Sequence, residues 1–291
     1  MINKLLYFIY AARFKTLVAS LSPILITSAF CYKYYSLNLN IFFLTLIAAM
    51  LIQIMTNFIN DLYDYKKGAD NNRVGPDRMI QKGYLSENEI TKAIYLLLFI
   101  ALLIGTYLAL IGGVIIVAIG LSAFLFAYLY TATRFSIAYN GLGELFVFIY
   151  FGLIASLGTC YLQILEYNKG ALLIGIMCGS LNVCLLIINN LRDIWSDKSS
   201  NKNTLVAKYG KFFGYMEFIL FIILSYISLY YFTIYINNTL VFMYALSLII
   251  CPILILFLSI KNTKFLNQKA LPIMSFYITL FTLLLTFNII K

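Results

Sequence analysis

The chain has 291 residues, of which 63% are apolar and 11% are charged, and its formal net charge is +10. Soluble domains usually carry about 25% charged residues, so this composition argues against a soluble fold. The chain has no histidine, which excludes a Ser-His-Asp triad, a histidine-ligated metal and histidine as a general base. The five cysteines show no CxxC spacing, so we expect buried apolar side chains rather than disulfides or a metal cage.

Nine stretches are apolar enough to cross a membrane, since a helical span needs about 20 mostly apolar residues. In chain order they cover residues 16–35, 41–60, 91–111, 114–131, 143–161, 171–191, 212–231, 239–259 and 270–290. Only Gly112 and Gly113 separate the third span from the fourth, which predicts a tight hairpin. The sequence therefore predicts an all-α membrane protein, with nine transmembrane helices in a single domain over residues 1–291.

The basic residues sort to one side of these spans. If the N-terminus is cytoplasmic, all of the 21 lysines and arginines except Lys33, Lys169 and Lys291 fall in cytoplasmic segments. This pattern predicts a multi-pass protein of the plasma (inner) membrane, with its C-terminus outside. The first apolar stretch continues past Arg13 and Lys15 as a full-length span, so no cleavable signal is expected.

Two cytoplasmic segments, 60–91 and 192–212, concentrate the polar chemistry and are predicted to be Asp-rich capping loops. They contain eight of the eleven acids: Asp61, Asp64, Asp70, Asp77, Glu87, Glu89, Asp193 and Asp197. Ser86, followed three residues later by Glu89, predicts a capping box at a helix start. The simplest alternative is that these segments are solvated caps with ion pairs of little energetic weight.

Two helical faces carry the acids that cannot face lipid. At the end of the second span, residues 57, 60, 61 and 64 are spaced to share one face. At the end of the sixth span, Asn189, Asp193 and Asp197 repeat the arrangement. Ionised groups in a membrane normally face a bundle interior or water, so we expect both faces to border one site.

Oxygen ligands without histidine or cysteine suit a hard cation, and Mg²⁺ typically takes one or two carboxylates together with substrate phosphate oxygens. Basic residues interleaved with the acids would bind a polyphosphate. They are Lys66, Lys67, Arg73, Arg78, Lys82, Arg192 and Lys202. Lys66, Lys67 and Lys198 serve equally well as orientation signals.

These motifs resemble those of the UbiA superfamily of intramembrane prenyltransferases, which has nine helices and Asp-rich motifs after helices 2 and 6. The stretches that carry the resemblance are 60–70, 73–83, 141–163 and 189–205. Within the superfamily they are most similar to the 1,4-dihydroxy-2-naphthoate polyprenyltransferases, which make demethylmenaquinone. Residues 13–17 and 132–136 depart from that pattern, because both lack the proline that the subfamily has there.

The resemblance implies a UbiA-type fold and assigns roles to individual residues. Mg²⁺ would be held by Asp61, Asp64, Asp70, Asp193 and Asp197, with Asn60 orienting ligands or water. The diphosphate of a polyprenyl diphosphate would be bound by Arg78, Lys82, Arg192, Lys202, Tyr130 and Arg134. The acceptor would be 1,4-dihydroxy-2-naphthoate and the surroundings a lipid bilayer, with no nucleic acid and no obligate protein partner.

Several alternatives stay open at the level of sequence. Arg134 could instead be an orientation charge or a partner of the acceptor's carboxylate, although its position four residues after Tyr130 favours the diphosphate. The enzyme could use another acceptor of the 4-hydroxybenzoate or homogentisate type, but the spacing from Asp64 to Asp70 argues against that. A divalent-cation transporter would need polar residues at mid-membrane depth, and a structural membrane protein would leave the Asp faces unexplained.

Overall fold

The computed structural model describes residues 2–69 and 75–291, and every regular element in that part of the chain is helical. The prediction of an all-α protein is therefore confirmed. In chain order the α-helices are α1 (Ile2–Ala12), α2 (Val18–Tyr34), α3 (Leu39–Lys66), α4 (Glu87–Leu129), α5 (Gly143–Phe148), α6 (Ala155–Ile164), α7 (Lys169–Ser199), α8 (Leu205–Tyr209), α9 (Lys211–Tyr235), α10 (Thr239–Leu246), α11 (Ile250–Lys261), α12 (Thr263–Phe265) and α13 (Leu271–Ile290). A π-helical segment, Ile149–Ile154, joins α5 to α6, and another, Leu266–Ala270, precedes α13.

Seven helical segments in the described residues are long and apolar enough to cross a membrane. They are Leu39–Lys66, Glu87–Leu129, Gly143–Ile164, Lys169–Ser199, Lys211–Tyr235, Thr239–Lys261 and Thr263–Ile290. An eighth arises if α2 is joined to the helical segment before it, from which it is bent by 55°. The chain is therefore a multi-pass membrane protein.

The longest of these segments, α4, is broken at Gly113. This residue has φ 64° and ψ −153°, which is not helical and which glycine adopts without a side-chain clash. Ile94 and Leu97, before the break, pack in the same cluster as Phe124 and Ala127, after it. The two limbs of α4 therefore fold back on one another, in agreement with the predicted hairpin.

Helix α7 lies at the centre of the bundle, with 78% of its most apolar window buried inside the protein. Close approach of the π-helical segment makes this burial possible. A Cβ on Gly152 would lie 2.5 Å from the carbonyl oxygen of Gly175 and 2.5 Å from Cα of Gly179. Backbone therefore packs against backbone here, and α7 is held firmly where it carries the second Asp motif.

A short helix that the sequence analysis did not predict, α1, precedes the first span. Arg13, in the left-handed conformation with φ 54°, separates it from the following turn. Helix α1 packs through Ala11 and Ala12 against the segment that follows the first Asp motif, and Tyr7 stacks on Tyr84 at 4.6 Å. Its outer face leaves apolar side chains such as Leu5 exposed, as expected of a helix at a membrane surface.

The described acids of the two motifs, Asp61, Asp64, Asp193 and Asp197, lie on helices rather than in loops. Helix α3 continues to Lys66 and α7 to Ser199, so the predicted capping loops begin later than residues 60 and 192. The acidic faces of both helices turn into the protein, where these four side chains are buried. The capping box of Ser86 and Glu89 is present as predicted, and the cysteines are free and largely buried.

Candidate active site

A cavity of about 240 Å³ lies where the ends of α3 and α7 meet the α1–α2 junction, α4 and α5. Its polar wall comes from side chains of both Asp motifs and of the loops beside them. They include Arg13, Gln53, Asn57, Asn60, Asp64, Arg78, Tyr130, Glu144, Asn182, Asn189, Asn190, Lys202 and Thr204. Asp64 and Asn189, which are 125 residues apart in sequence, therefore border one space.

The first motif is held by two arginines. Asp61 is 1% exposed, and its Oδ1 accepts hydrogen bonds from Nη1 of Arg78 at 2.7 Å and from Nη2 of Arg13 at 3.0 Å. Arg78 also lies 3.7 Å from Oδ2 of Asp64. The hydroxyl of Tyr139 donates to Oδ1 of Asp64 at 2.9 Å. Asp64 faces the cavity, and Asp61 fixes the cations behind it.

The second motif is organised around Arg192. Its Nε and Nη2 donate to both oxygens of Asp193 at 2.8 Å, and Nη2 also donates to Asn189 at 2.6 Å. This paired geometry is the strong form of an ion pair. Asp197 is paired separately with Lys202, at 3.6 Å, and lies 3.5 Å from the hydroxyl of Thr204.

Tyr139 lies between the two motifs and is flanked by lysines. Nζ of Lys67 is 4.2 Å from the centre of its ring, and Nζ of Lys202 is 5.6 Å away. Lys67 also donates to the carbonyl oxygens of Thr131 and Thr133 and to the hydroxyl of Ser136. Burial lowers the pKa of Lys67, partly offset by Asp64. Lys67 therefore fastens the loop after α4 to the end of α3.

The structure brings together most of the residues predicted for the site. Asn60, Asp64, Arg78, Tyr130 and Lys202 line the cavity. Behind them, Asp61, Asp193, Asp197 and Arg192 are buried and bonded to cavity residues or to each other. Asp70, predicted as a metal ligand, lies outside the described residues.

Two predicted diphosphate ligands lie elsewhere. Lys82 is exposed and pairs with Asp77 at 3.3 Å. Arg134 is exposed and is not part of the cavity wall. Both belong to surface loops, and the four-residue spacing from Tyr130 does not bring Arg134 to the cavity because α4 ends at Leu129.

Among the residues that the sequence did not predict are Arg13 and Glu144, which line the cavity, and Tyr139, which is bonded to Asp64. Arg13 was predicted only as an orientation charge. Its position beside the first apolar span, which can be read from the sequence, was the available signal. Tyr139 lies in a 3₁₀ turn, Ile137–Tyr139, with no local pattern to mark it. Glu144 was noted only within a resembling stretch, yet it is 4% exposed and accepts a hydrogen bond from Asn190 at 2.8 Å. An acid beside an apolar span was the available signal.

The donors at the cavity suit a hard cation that also binds phosphate. Within residues 2–69 and 75–291, no three acidic or thiol side chains converge to hold a metal by themselves. Mg²⁺ needs only one or two carboxylates when substrate phosphates supply the remaining ligands. The carboxylate of Asp64 and the amide oxygens of Asn60 and Asn189 are donors of this kind, so the residues present fit Mg²⁺.

A second cavity, of about 300 Å³, extends the site into the apolar part of the bundle between α2, α3, α4 and α6. It shares five wall residues with the first cavity: Ile52, Gln53, Ala123, Tyr150 and Phe151. At this junction Phe126, Phe146 and Tyr150 form an aromatic cluster with ring centres 4.7–6.1 Å apart. A ligand with a polar head and a long apolar tail fits the combined shape.

Comparison with known proteins places the chain in a family. The model of the UbiA prenyltransferase family matches residues 20–287. A 1,4-dihydroxy-2-naphthoate octaprenyltransferase of Haemophilus influenzae is 35% identical over 70% of this chain and 69% of its own length. The enzymes of that name from Escherichia coli and Bacillus subtilis are each 32% identical, over 68% and 67% of this chain and 66% and 63% of their own lengths.

The fold agrees with solved structures. A UbiA homologue from Archaeoglobus fulgidus, bound to GPP and Mg²⁺, superposes with a TM-score of 0.66 at 14% identity, over 98% of this chain and 99% of that one. A digeranylgeranylglyceryl phosphate synthase gives 0.60 at 19% identity, over 99% of both chains. The class defined by fold and site is that of intramembrane enzymes that transfer prenyl groups. The chain belongs to the UbiA prenyltransferase family.

Proposed function

We propose that this protein transfers a polyprenyl group from polyprenyl diphosphate to 1,4-dihydroxy-2-naphthoate, with loss of the acceptor's carboxylate as CO₂, to give demethylmenaquinone in its reduced, hydroquinone form. The observation that carries the proposal is the polar cavity bordered by both Asp motifs and joined to an apolar cavity. The acceptor comes from relatives at 32–35% identity that carry that name.

The proposed arrangement has nine membrane spans, counting the limbs of α4 on either side of Gly113 separately and α2 as the first. The N-terminus and both Asp motifs then face the cytoplasm, and the C-terminus faces outside. The sorting of basic residues supports this orientation. Water-soluble substrate and diphosphate product would enter and leave from the cytoplasmic side of a plasma membrane.

The cations that form ion pairs with the acids in this structure would bind the diphosphate. Mg²⁺, held by Asp64 with Asp61, Asp193, Asp197 and Asp70 as further carboxylates, would neutralise charge on the diphosphate. Arg78 and Lys202 line the cavity and would donate to the diphosphate oxygens. The diphosphate leaves with both electrons of the C–O bond, and the positive charge already in place around it stabilises the negative charge that it gains.

The apolar cavity would receive the prenyl chain and keep water from the cation that forms. Phe126, Phe146 and Tyr150 present aromatic faces at the junction, where a carbocation is stabilised by ring quadrupoles. The ring carbon of the acceptor attacks the prenyl carbon, and the carboxylate electrons return to the ring as CO₂ leaves. A divalent-cation transporter, the alternative function, would need polar groups deeper in the bundle. The second cavity is instead mostly apolar.

Activity of the purified protein with Mg²⁺, 1,4-dihydroxy-2-naphthoate and a series of prenyl diphosphates, with products identified by mass spectrometry, tests the proposal. Asp64→Ala and Asp193→Ala should each nearly abolish turnover, and chelation should silence the wild type. Glu87→Gln, which changes an exposed acid away from the cavity, is the matched control. Substantial activity in either aspartate variant at saturating Mg²⁺ would contradict the two-motif site, and prenylation of 4-hydroxybenzoate instead would contradict the acceptor.

A further inference from the structure

Glu144 is a buried carboxylate in the cavity wall that the diphosphate site does not use. It lies on the first turn of α5 and is 4% exposed. Its Oε1 accepts one hydrogen bond, from Nδ2 of Asn190 at 2.8 Å. Its place on the first turn of α5 puts the carboxylate in the wall of the cavity, next to the end of α7.

The partner of Glu144 distinguishes it from the acids of the two motifs. Those acids are paired with cations: Asp61 with Arg13 and Arg78, Asp64 with Arg78, Asp193 with Arg192, and Asp197 with Lys202. Glu144 is bonded to a neutral amide instead. A carboxylate in this setting keeps its capacity to accept a hydrogen bond or a proton from a ligand.

The wall next to Glu144 suits an aromatic ring. Val147 and Phe151 follow it on α5 and the π-helical segment and also line the cavity, as do Phe146 and Tyr150. A planar ring against this surface would place a polar substituent at Glu144 and its opposite edge near the junction of the two cavities. Tyr130 is adjacent, since its hydroxyl is 3.2 Å from the position of a Cβ on Gly143.

We propose that Glu144 is the catalytic carboxylate on the acceptor side, accepting a hydrogen bond from a ring hydroxyl of the hydroxyarene and taking its proton as the ring attacks. This inference rests on the proposed function and assigns the acceptor subsite to the α5–α7 wall. An aromatic ring becomes more nucleophilic as its hydroxyl loses a proton, and the chain has no histidine to receive that proton.

The step balances without any further reactant. The hydroxyl O–H bond breaks, its proton moves to the Glu144 carboxylate, and its electron pair forms a C=O bond. The ring then forms a C–C bond with the prenyl carbon, whose bond to diphosphate oxygen breaks with both electrons leaving on the diphosphate. Loss of CO₂ returns an electron pair to the ring, and the ring oxygen takes the proton back from Glu144.

The test compares Glu144→Gln with wild type on three acceptors: 1,4-dihydroxy-2-naphthoate and the two monomethyl ethers that block each hydroxyl in turn. General acid–base catalysis typically contributes 10²–10⁴-fold, so Glu144→Gln should lower kcat/KM for the diol by about that factor. The KM for the prenyl diphosphate and the Mg²⁺ concentration at half-saturation should change less than twofold. The ether that blocks the hydroxyl bonded by Glu144 should react slowly with the wild type. With the Glu144→Gln variant, this ether and the diol should react at the same rate.

Glu217→Gln is the matched control. Glu217 is another buried acid, 9% exposed on α9, but it is not part of the cavity wall. Its variant should keep the wild-type kcat/KM for the diol. Thermal unfolding in detergent should be alike for both variants, which separates chemistry from misfolding.

Three results would overturn the inference. The first is a Glu144→Gln variant with wild-type turnover, and the second is an equal loss of activity with the diol and both ethers. The third is a raised Mg²⁺ requirement, which would make Glu144 a metal ligand. Failure of the wild type to prenylate this acceptor would overturn the proposed function together with the inference. Turnover by the wild type would confirm the proposed function whatever the result with the Glu144→Gln variant.

Discussion

Arg78 lies 7% exposed between the two carboxylates of the first motif and reaches the cavity from there. A guanidinium buried in this way is charge-compensated while the site holds no anion. Under the proposed function, Asp61 and Asp64 would hold a metal that supplies positive charge to the diphosphate, and the guanidinium of Arg78 would then donate to phosphate oxygens. Arg78 keeps the acids in place, and under the proposed function it would also receive the substrate.

Arg78→Gln should raise the KM for prenyl diphosphate or lower kcat, with little change in the KM of the acceptor. A hydrogen bond to a charged group is worth about 1.5–3 kcal/mol, so kcat/KM for the donor should fall roughly 10- to 100-fold. Steady-state kinetics with each substrate varied separately gives the result. Lys264→Gln, which removes an exposed cation on α12, is the control.

Arg134→Gln tests the assignment of this residue from the sequence. Arg134 is exposed and outside the cavity wall, so its location favours an effect on membrane insertion over one on catalysis. The same kinetic assay and the yield of inserted protein distinguish the two roles. A loss in donor kcat/KM equal to that of Arg78→Gln would restore Arg134 as a diphosphate ligand.

At the scale of elements, the contact between the π-helical segment and α7 holds the second motif in position. Gly152→Ala would place a Cβ 2.5 Å from backbone atoms of α7, and overpacking of this kind costs about 1–3 kcal/mol. The Tm in detergent should fall, and activity should fall with it. Gly105→Ala on α4 adds the same methyl group where nothing lies within 4 Å, so its Tm should be unchanged or higher. Equal Tm values for the two variants would contradict this prediction, because α7 and the π-helical segment could then move apart without a loss of stability.

At the scale of the whole molecule, the two cavities together decide which donor fits. Ala123 lines both cavities, so Ala123→Phe should block the passage between them. Turnover with a long polyprenyl diphosphate should fall at least tenfold relative to turnover with geranyl diphosphate. Ala118→Phe, on the same limb of α4 but exposed and outside both cavities, should leave that ratio unchanged. An unchanged ratio in Ala123→Phe would mean that the chain lies elsewhere.

Membrane orientation is also a property of the whole molecule. With a chain free of native cysteines, Ser199→Cys at the end of α7 should be labelled only from the cytoplasmic side. Asn237→Cys, in the turn between α9 and α10, should be labelled only from outside. Both positions are exposed, so a membrane-impermeant thiol reagent will reach them on whichever side they lie. Reversed labelling would contradict the proposed topology.

The sequence by itself determined the helical class, the hairpin in α4, the capping box and the two Asp motifs. Each of these depends on short-range rules: apolar length sets a span, glycine permits the break at Gly113, and four-residue spacing aligns Asp61 with Asn57 and Asp193 with Asn189. Such rules need no knowledge of what packs against the helix.

Only the tertiary structure decided which of the polar residues face one another. Arg13 and Glu144 reach the cavity from the α1–α2 junction and from α5, and Tyr139 reaches Asp64 from a 3₁₀ turn. Arg134 and Lys82 do not reach the cavity. The reason is that the long-range packing of helices and loops around the cavity sets the direction of these side chains. Sequence spacing fixes the face of a single helix but not the distance between helices, and that distance determines which charges meet.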